Sequence, residues 1–344
     1  MKDLSKNENQ YPPSPLVAKA LKEKIEAKFY LREPKLQLNI AEFVGVDSSY
    51  IYIANGAEEV LINIFQGVSK RSVSERKILL ANYSWPFYDF YIKDAEAEIV
   101  RFELGNNFEY IVEPIRKCYL EKSPSLIVLC SPNNPTSSII REQSLKEILE
   151  FVDKDCIIVI DETYKGFVEK EHNYIHLFNK FKNLIIVRSF SKFYGLAGVR
   201  IGYGLIHPGT KLKLKLPSNR LGLSVFMEKL GIAALESTGY YKEVAAKIVT
   251  DRDKIIKSIN ETKLFNACNS NTNFVFMWSP QDEISTLVKK FENCEIKVFV
   301  FTEEPYKGYL RFGVGLEEDT EKILNIFTSY KGSEKCEKLN TIYT

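Results

Sequence analysis

The sequence predicts an α/β fold: a large, doubly wound, mostly parallel sheet with helices on both faces, and a smaller C-terminal α/β domain. Three observations carry this. Short β-branched runs alternate with helical segments from about residue 36 to 206, the rhythm of parallel strands joined by crossover helices. Those runs are apolar throughout, as strands buried on both faces are. After about residue 250 short strands and helices follow one another with brief connections. The expected division is an N-terminal arm at 1–30, a large domain at 31–240 and a small domain at 241–344.

The arm contains Asn7-Glu8-Asn9-Gln10-Tyr11-Pro12-Pro13-Ser14-Pro15, whose prolines favour an extended path over a helix. It reads either as a strap across another subunit or as a disordered lead-in. Leu16–Phe29 is expected to be helical, with Leu16, Ala20 and Ile25 on one face. Strands are expected at Tyr50–Ala54, Lys77–Ala81, Ala97–Phe102, Ser125–Cys130, Cys156–Ile160 and Leu184–Val187, then in the run Ile201–Ile206. Helices are expected from Gly56 through Phe65, at Tyr110–Leu120 and at Ser144–Val152. Residues 207 to about 260 read as helical, with lysines on a solvated face. The small domain is expected to hold strands Asn273–Trp278, Glu295–Val300 and Tyr309–Gly313 and helices Glu283–Phe291 and Glu318–Tyr330, with a frayed tail after Gly332.

Composition narrows the function. The 344 residues carry a net charge of +2 with no basic block, which argues against nucleic acid or a membrane surface as a partner. No secretory signal and no membrane-length apolar run is visible. Six scattered cysteines without a C-x-x-C pair fit reduced thiols in a cytoplasm. His172 and His176 lie four apart with no glutamate between them, so no metal site is expected.

Ligands of an open α/β sheet bind at the carboxyl ends of its strands, and the polar residues gather there. Gly56-Ala57-Glu58 opens a helix whose backbone N–H groups at Ala57 and Glu58 are free for an anion. Tyr83-Ser84-Trp85-Pro86-Phe87-Tyr88 offers a ring to stack, and Ser131-Pro132-Asn133-Asn134-Pro135-Thr136 offers the Asn134 amide to an oxyanion. Asp161 ends a buried strand, where a carboxylate needs a cation. A protonated pyridinium nitrogen would serve, and Tyr164 could reach an oxygen on the same ring. Ser189, Ser191, Lys192 and Arg200 follow the strand ending near Val187. A lysine that forms imines, beside hydroxyls and a guanidinium suited to phosphate, is how pyridoxal 5'-phosphate is held.

Taken in order, N-E-N-x-x-x-P-S-P, N-G-A-E-E, P-N-N-P-T, D-E-T-Y, S-F-S-K-F-Y-G-L-A-G-V-R-I-G-Y and L-R-F-G-V-G resemble the fold-type I pyridoxal-phosphate enzymes. Within them the set resembles the histidinol-phosphate aminotransferase subgroup, from Asn7 to about Tyr330. The resemblance implies an aminotransferase moving an amino group between a small, possibly phosphorylated amine or amino acid and a keto acid. A phosphoamino-acid decarboxylase on the same scaffold is the alternative. It implies Lys192 as the imine-forming and proton-shuttling lysine, with Asp161 on the pyridine nitrogen and Asn134 and Tyr164 on the ring oxygen. The phosphate falls to Ala57, Glu58, Ser189, Ser191 and Arg200, and ring stacking to Trp85, or to Tyr83 if the alignment slips. Substrate contacts fall to Arg311, Asn134 and Tyr11. A homodimer with the cofactor at the subunit interface is expected. The chain departs from the pattern at Pro12, Ser137, Ser218 and Val300; the last stands where the subgroup usually has a phosphate-binding arginine.

Overall fold

Apolar β-branched runs without polar alternation can be satisfied only in the middle of a covered sheet, and that is where the chain places them. The computed structural model describes residues 1–31, 34–168, 173–218, 222–279 and 281–330. The strands are β1 (Lys2–Asp3), β2 (Ile51–Asn55), β3 (Lys77–Ala81), β4 (Glu98–Phe102), β5 (Leu126–Cys130), β6 (Ile157–Asp161), β7 (Leu184–Ser189), β8 (Ile201–Leu205), β9 (Asn266–Ala267), β10 (Phe274–Trp278), β11 (Ile296–Lys297), β12 (Phe299–Val300) and β13 (Tyr309–Gly313). The helices are α1 (Pro15–Lys22), α2 (Leu36–Val44), α3 (Gly56–Ser69), α4 (Phe87–Asp94), α5 (Val112–Lys122), α6 (Glu142–Phe151), α7 (Ile175–Lys180), α8 (Pro208–Lys213), α9 (Val225–Glu236), α10 (Thr238–Glu261), α11 (Gln281–Asn293) and α12 (Glu317–Thr328).

Seven strands form the large sheet in the order β2-β8-β7-β6-β5-β3-β4. Strands β3 to β7 run parallel, while β8 is antiparallel to both β7 and β2. Every residue of β5, β6 and β8 is buried, because helices cover both faces: Leu145, Ile148 and Phe178 pack on one, Val60, Ile64 and Ile92 on the other. A second, antiparallel sheet in the order β12-β13-β10-β9 packs against α10, α11 and α12 through Ile255, Leu287, Phe291 and Ile323. Helix α10 bridges the two units: Tyr241 belongs to the core of the large sheet, Ile255 and Ile259 to that of the small one.

The arm is not a disordered lead-in: its start is ordered against its own chain. Strand β1 pairs in parallel with β11, Leu4 is fully buried in the small-sheet core, and Gly313 N–H donates to the Leu4 carbonyl at 2.7 Å. Helix α1 is also shorter than the periodicity predicts. The Ser14 hydroxyl caps its start by accepting from Val17 N–H, and Glu23 leaves helical geometry at ψ 145°. The expected strand Glu295–Val300 breaks into β11 and β12 because the two pair with different partners, β1 and β13. His172, Asn219 and the tail from Lys331 lie outside the described residues.

Candidate active site

Asp161 sits at the carboxyl end of β6, in register with Cys130 on β5 and Val187 on β7. It is almost fully buried. The Tyr88 hydroxyl donates to Oδ2 at 2.6 Å and Thr163 N–H donates to Oδ1 at 2.9 Å. Burial still pushes the carboxyl above its usual range, with those two donors pulling the other way. No cationic side chain among the described residues forms an ion pair with it. A buried carboxylate needs a cation to be stable when ionised, so this end of the sheet is built to receive a positive charge from outside the chain.

Lys192 follows β7 in the loop that leads to β8. Its Nζ donates to the Lys6 carbonyl at 2.8 Å. Burial, together with the Arg311 and Arg200 guanidinium groups, pulls its ammonium down from 10.5 to about 8. That keeps a useful fraction of the amine neutral and nucleophilic near neutral pH.

A third cluster has the chemistry to take an anion. Arg200, at φ 62°, reaches the start of α3, where Nη2 donates to Glu58 Oε2 at 2.9 Å. Two glycines make this approach possible. A Cβ on Gly56 would lie 2.6 Å from Arg200 Nη2, and one on Gly202 would lie 2.0 Å from Ala57 N. Ala57, Glu58 and Arg200 line the same cavity, and a helix N-terminus beside an arginine suits a phosphate.

Arg311 lies on β13, opposite Phe276 on β10 and Phe299 on β12. Rings of Phe299 and Phe274 lie 5.1 and 5.6 Å from its guanidinium carbon. It donates to Asn134 Oδ1 and to the Ser5 carbonyl. Among the described residues no carboxylate pairs with it, and burial pulls it below the usual arginine range. A buried guanidinium without a counter-charge is the complement of a substrate anion.

These groups line one cavity of about 690 Å³, which takes in Ala57, Glu58, Trp85, Asn134, Asp161, Tyr164, Ser189, Ser191, Lys192, Arg200 and Arg311. Trp85 faces it, while Tyr83 packs instead among Phe108, Tyr306 and Tyr309. Val300 lines the wall beside Phe299 and Val298. Tyr11 does not line it: the ring packs beside Phe167, Val244 and Val314, because the arm has already crossed the cavity at residues 5–8. A larger groove of about 1080 Å³ beside α10 holds none of the expected residues.

Sequence reasoning missed four contributors. Tyr88 was visible only as one aromatic in a loop, yet it supplies the hydroxyl on Asp161. Asn7 donates to the Tyr164 hydroxyl at 3.0 Å, and the carbonyls of Ser5 and Lys6 cap Arg311 and Lys192. The N-E-N motif held the signal for Asn7 but not for the function of its side chain.

A buried acid lacking a cation, a lysine with a lowered pKa and a phosphate-type cradle together fit pyridoxal phosphate. Comparison with known proteins agrees with that chemistry. The family model described as aminotransferase class I and II matches residues 1–327. A histidinol-phosphate aminotransferase of Macrococcus caseolyticus is 31% identical, over 95% of this chain and 90% of its own. The crystal structure of the histidinol-phosphate aminotransferase of Clostridium acetobutylicum superposes with a TM-score of 0.85 at 21% identity, covering 96% of this chain and 98% of its own. That of Sinorhizobium meliloti, in complex with pyridoxal-5'-phosphate, gives 0.84 at 22%, covering 95% and 91%. With most of its length matched and its polar residues gathered where such a sheet binds ligands, the chain belongs to the aminotransferase class I and II family.

Proposed function

We propose that this protein is a pyridoxal-phosphate-dependent aminotransferase in which Lys192 carries the cofactor and moves the proton. The observation that carries the reading is the pairing of an unneutralised buried Asp161 with a Lys192 of lowered pKa in one cavity. The cofactor, when bound, supplies an electron sink for the carbanion formed at the substrate's Cα.

The chain's own residues then have separable tasks. Asp161, held by Tyr88 and Thr163, keeps the cofactor's ring nitrogen protonated. Ala57, Glu58, Ser189, Ser191 and Arg200 grip its phosphate, Trp85 covers the ring, and Asn134 and Tyr164 address its ring oxygen. With its amine free, Lys192 would be the base that takes the substrate's Cα proton and returns it. Arg311 orients the substrate through its anionic group. The substrate pair is a small amine or amino acid and a keto acid; the similarity to histidinol-phosphate aminotransferases makes histidinol phosphate one candidate donor.

The active species is proposed to be a homodimer in the cytoplasm. Exposed Leu16 and Leu21 of α1, Leu38 and Phe43 of α2 and Phe87 and Phe90 of α4 offer apolar surface for a second copy.

The test is spectroscopic. Protein mixed with pyridoxal phosphate should gain the visible absorption of a lysine-linked cofactor, lose it on adding an amino donor and recover it with a keto acid. Lys192→Ala should show no such band. A colourless wild-type protein would sink the proposal, and carbon dioxide release without amine transfer would favour the decarboxylase.

A further inference from the structure

We propose that Asn7 is a positioning residue for Tyr164: with Asn134 it donates onto the phenol oxygen and thereby turns the phenol's own hydrogen toward the ring oxygen of bound pyridoxal phosphate. This rests on the cofactor reading above. The geometry is specific. Asn7 Nδ2 lies 3.0 Å and Asn134 Nδ2 3.4 Å from Tyr164 Oη. A phenol oxygen has two lone pairs and one hydrogen. Two amide donors fill the lone pairs, and among the described residues the hydroxyl donates to no acceptor. Tyr164 lines the cavity, so the hydrogen is left for a ligand.

Asn7 is not explained by its backbone alone. It does adopt φ 55°, which asparagine tolerates better than most residues, but glycine would serve that turn at least as well. Its side chain is also buried, and Oδ1 has no partner among the described residues. An unpaired buried acceptor opposes stability. It is tolerated here because the other end of the amide is committed to Tyr164. The main chain is fixed as well: the Asn7 carbonyl accepts from Asn273 Nδ2 at 2.9 Å, one residue before β10. Asn7 thus ties the phenol to the small sheet.

The consequence is a shift in proton affinity. A phenol that accepts hydrogen bonds donates more strongly. A stronger donor on the cofactor's ring oxygen lowers that oxygen's hold on the imine proton. The charged and titratable groups facing Lys192 and Tyr164 are Arg311, Asp161, Cys130, Arg200 and Glu8. None of them changes in the variants below.

The experiment is a pH titration of the visible absorption of the cofactor-loaded protein. Asn7→Gly, which keeps the backbone conformation and removes the amide, should raise the midpoint by about half a pH unit. Tyr164→Phe should raise it further, and the double variant should match Tyr164→Phe alone. Asn7→Ala, which also lacks the donor and adds no charge, should move the midpoint in the same direction and serves if the glycine variant folds poorly. An unmoved or lowered midpoint in both Asn7 variants, or a full additional shift in the Tyr164→Phe background, would overturn the proposal. A wild-type chain that takes up no cofactor would overturn the reading it rests on.

Discussion

A lysine amine in water stays protonated until about pH 10.4, so the shift at Lys192 is a functional quantity. Burial is its first cause, and the Arg311 and Arg200 guanidinium groups add like-charge repulsion. Between about pH 8 and 10.5 the unfolded chain holds this proton while the folded chain has released it. Stability of the cofactor-free protein therefore rises with pH through that window as the penalty of the buried charge is relieved. Reactivity follows the same direction. Reductive alkylation of cofactor-free protein, followed by mass spectrometry, should label Lys192 with a rate that climbs to a plateau with its midpoint near about pH 8. A Lys192 rate still climbing without a plateau up to about pH 10 would remove the argument for an activated amine. At this scale the sequence was informative wherever a functional group ended a strand. Asp161 and Ser189 occupy such ends, Asn134 lies in the loop that follows β5, and strand-end placement is a topological rule. Tyr88 was not legible, because the direction of its hydroxyl depends on where α4 packs against α3 and β4, which no local pattern encodes.

At the scale of elements, the proposed phosphate cradle rests on α3 starting hard against β8. Tyr52 to Asn55 of β2 pair with Gly204 to Ile201 of β8, and the chain turns into α3 at Gly56, φ 89°. Gly202 leaves room for that turn: its missing Cβ would lie 2.0 Å from Ala57 N and 2.2 Å from the Gly56 carbonyl carbon. Both are backbone atoms, so a methyl group there must push the helix start away from Arg200. Gly202→Ala is expected to cost about 1–3 kcal/mol of stability or more and to weaken cofactor binding at least tenfold, read by thermal unfolding and by titration of the visible band. Gly209→Ala, in α8 with no atom within 4 Å of the added Cβ, should change stability by no more than about 0.5 kcal/mol. Equal behaviour of the two variants would show that the close approach of α3 to β8 is unimportant. The alternation of strands and helices made α3 and β8 legible as elements. The antiparallel entry of β8 was less so, since an apolar run reads the same in either direction.

At the scale of the whole molecule, the N-terminal arm joins the two sheets through the cavity, and its path was the least legible feature of the sequence. Lys2-Asp3-Leu4 is too short for periodicity to register, and β1 exists because β11 offers a partner. Leu4 is fully buried with Ile255, Phe312 and Ile323 and does not line the cavity. The three residues after it touch the site in sequence: the Ser5 carbonyl meets Arg311, the Lys6 carbonyl meets Lys192, and the Asn7 amide meets Tyr164. A defect at Leu4 can therefore reach the chemistry along this backbone, or through β13, where Gly313 N–H donates to the Leu4 carbonyl and Phe312 packs beside Leu4. Leu4→Ala should cost about 2–5 kcal/mol of stability through the lost burial and the cavity left behind. It should also speed hydrogen exchange at the Lys2 and Leu4 amides, which donate to the Glu295 and Lys297 carbonyls, while the amides of β5 and β6 stay protected. If the arm holds the site as its contacts imply, the visible-band midpoint of the loaded variant should move upward, in the direction expected for Asn7→Gly and by less. Faster exchange in the arm with an unmoved midpoint would separate the two. The arm would then be a strut of the small sheet, and the positions of Lys192 and Tyr164 would be set by β7 and the loop after β6 alone.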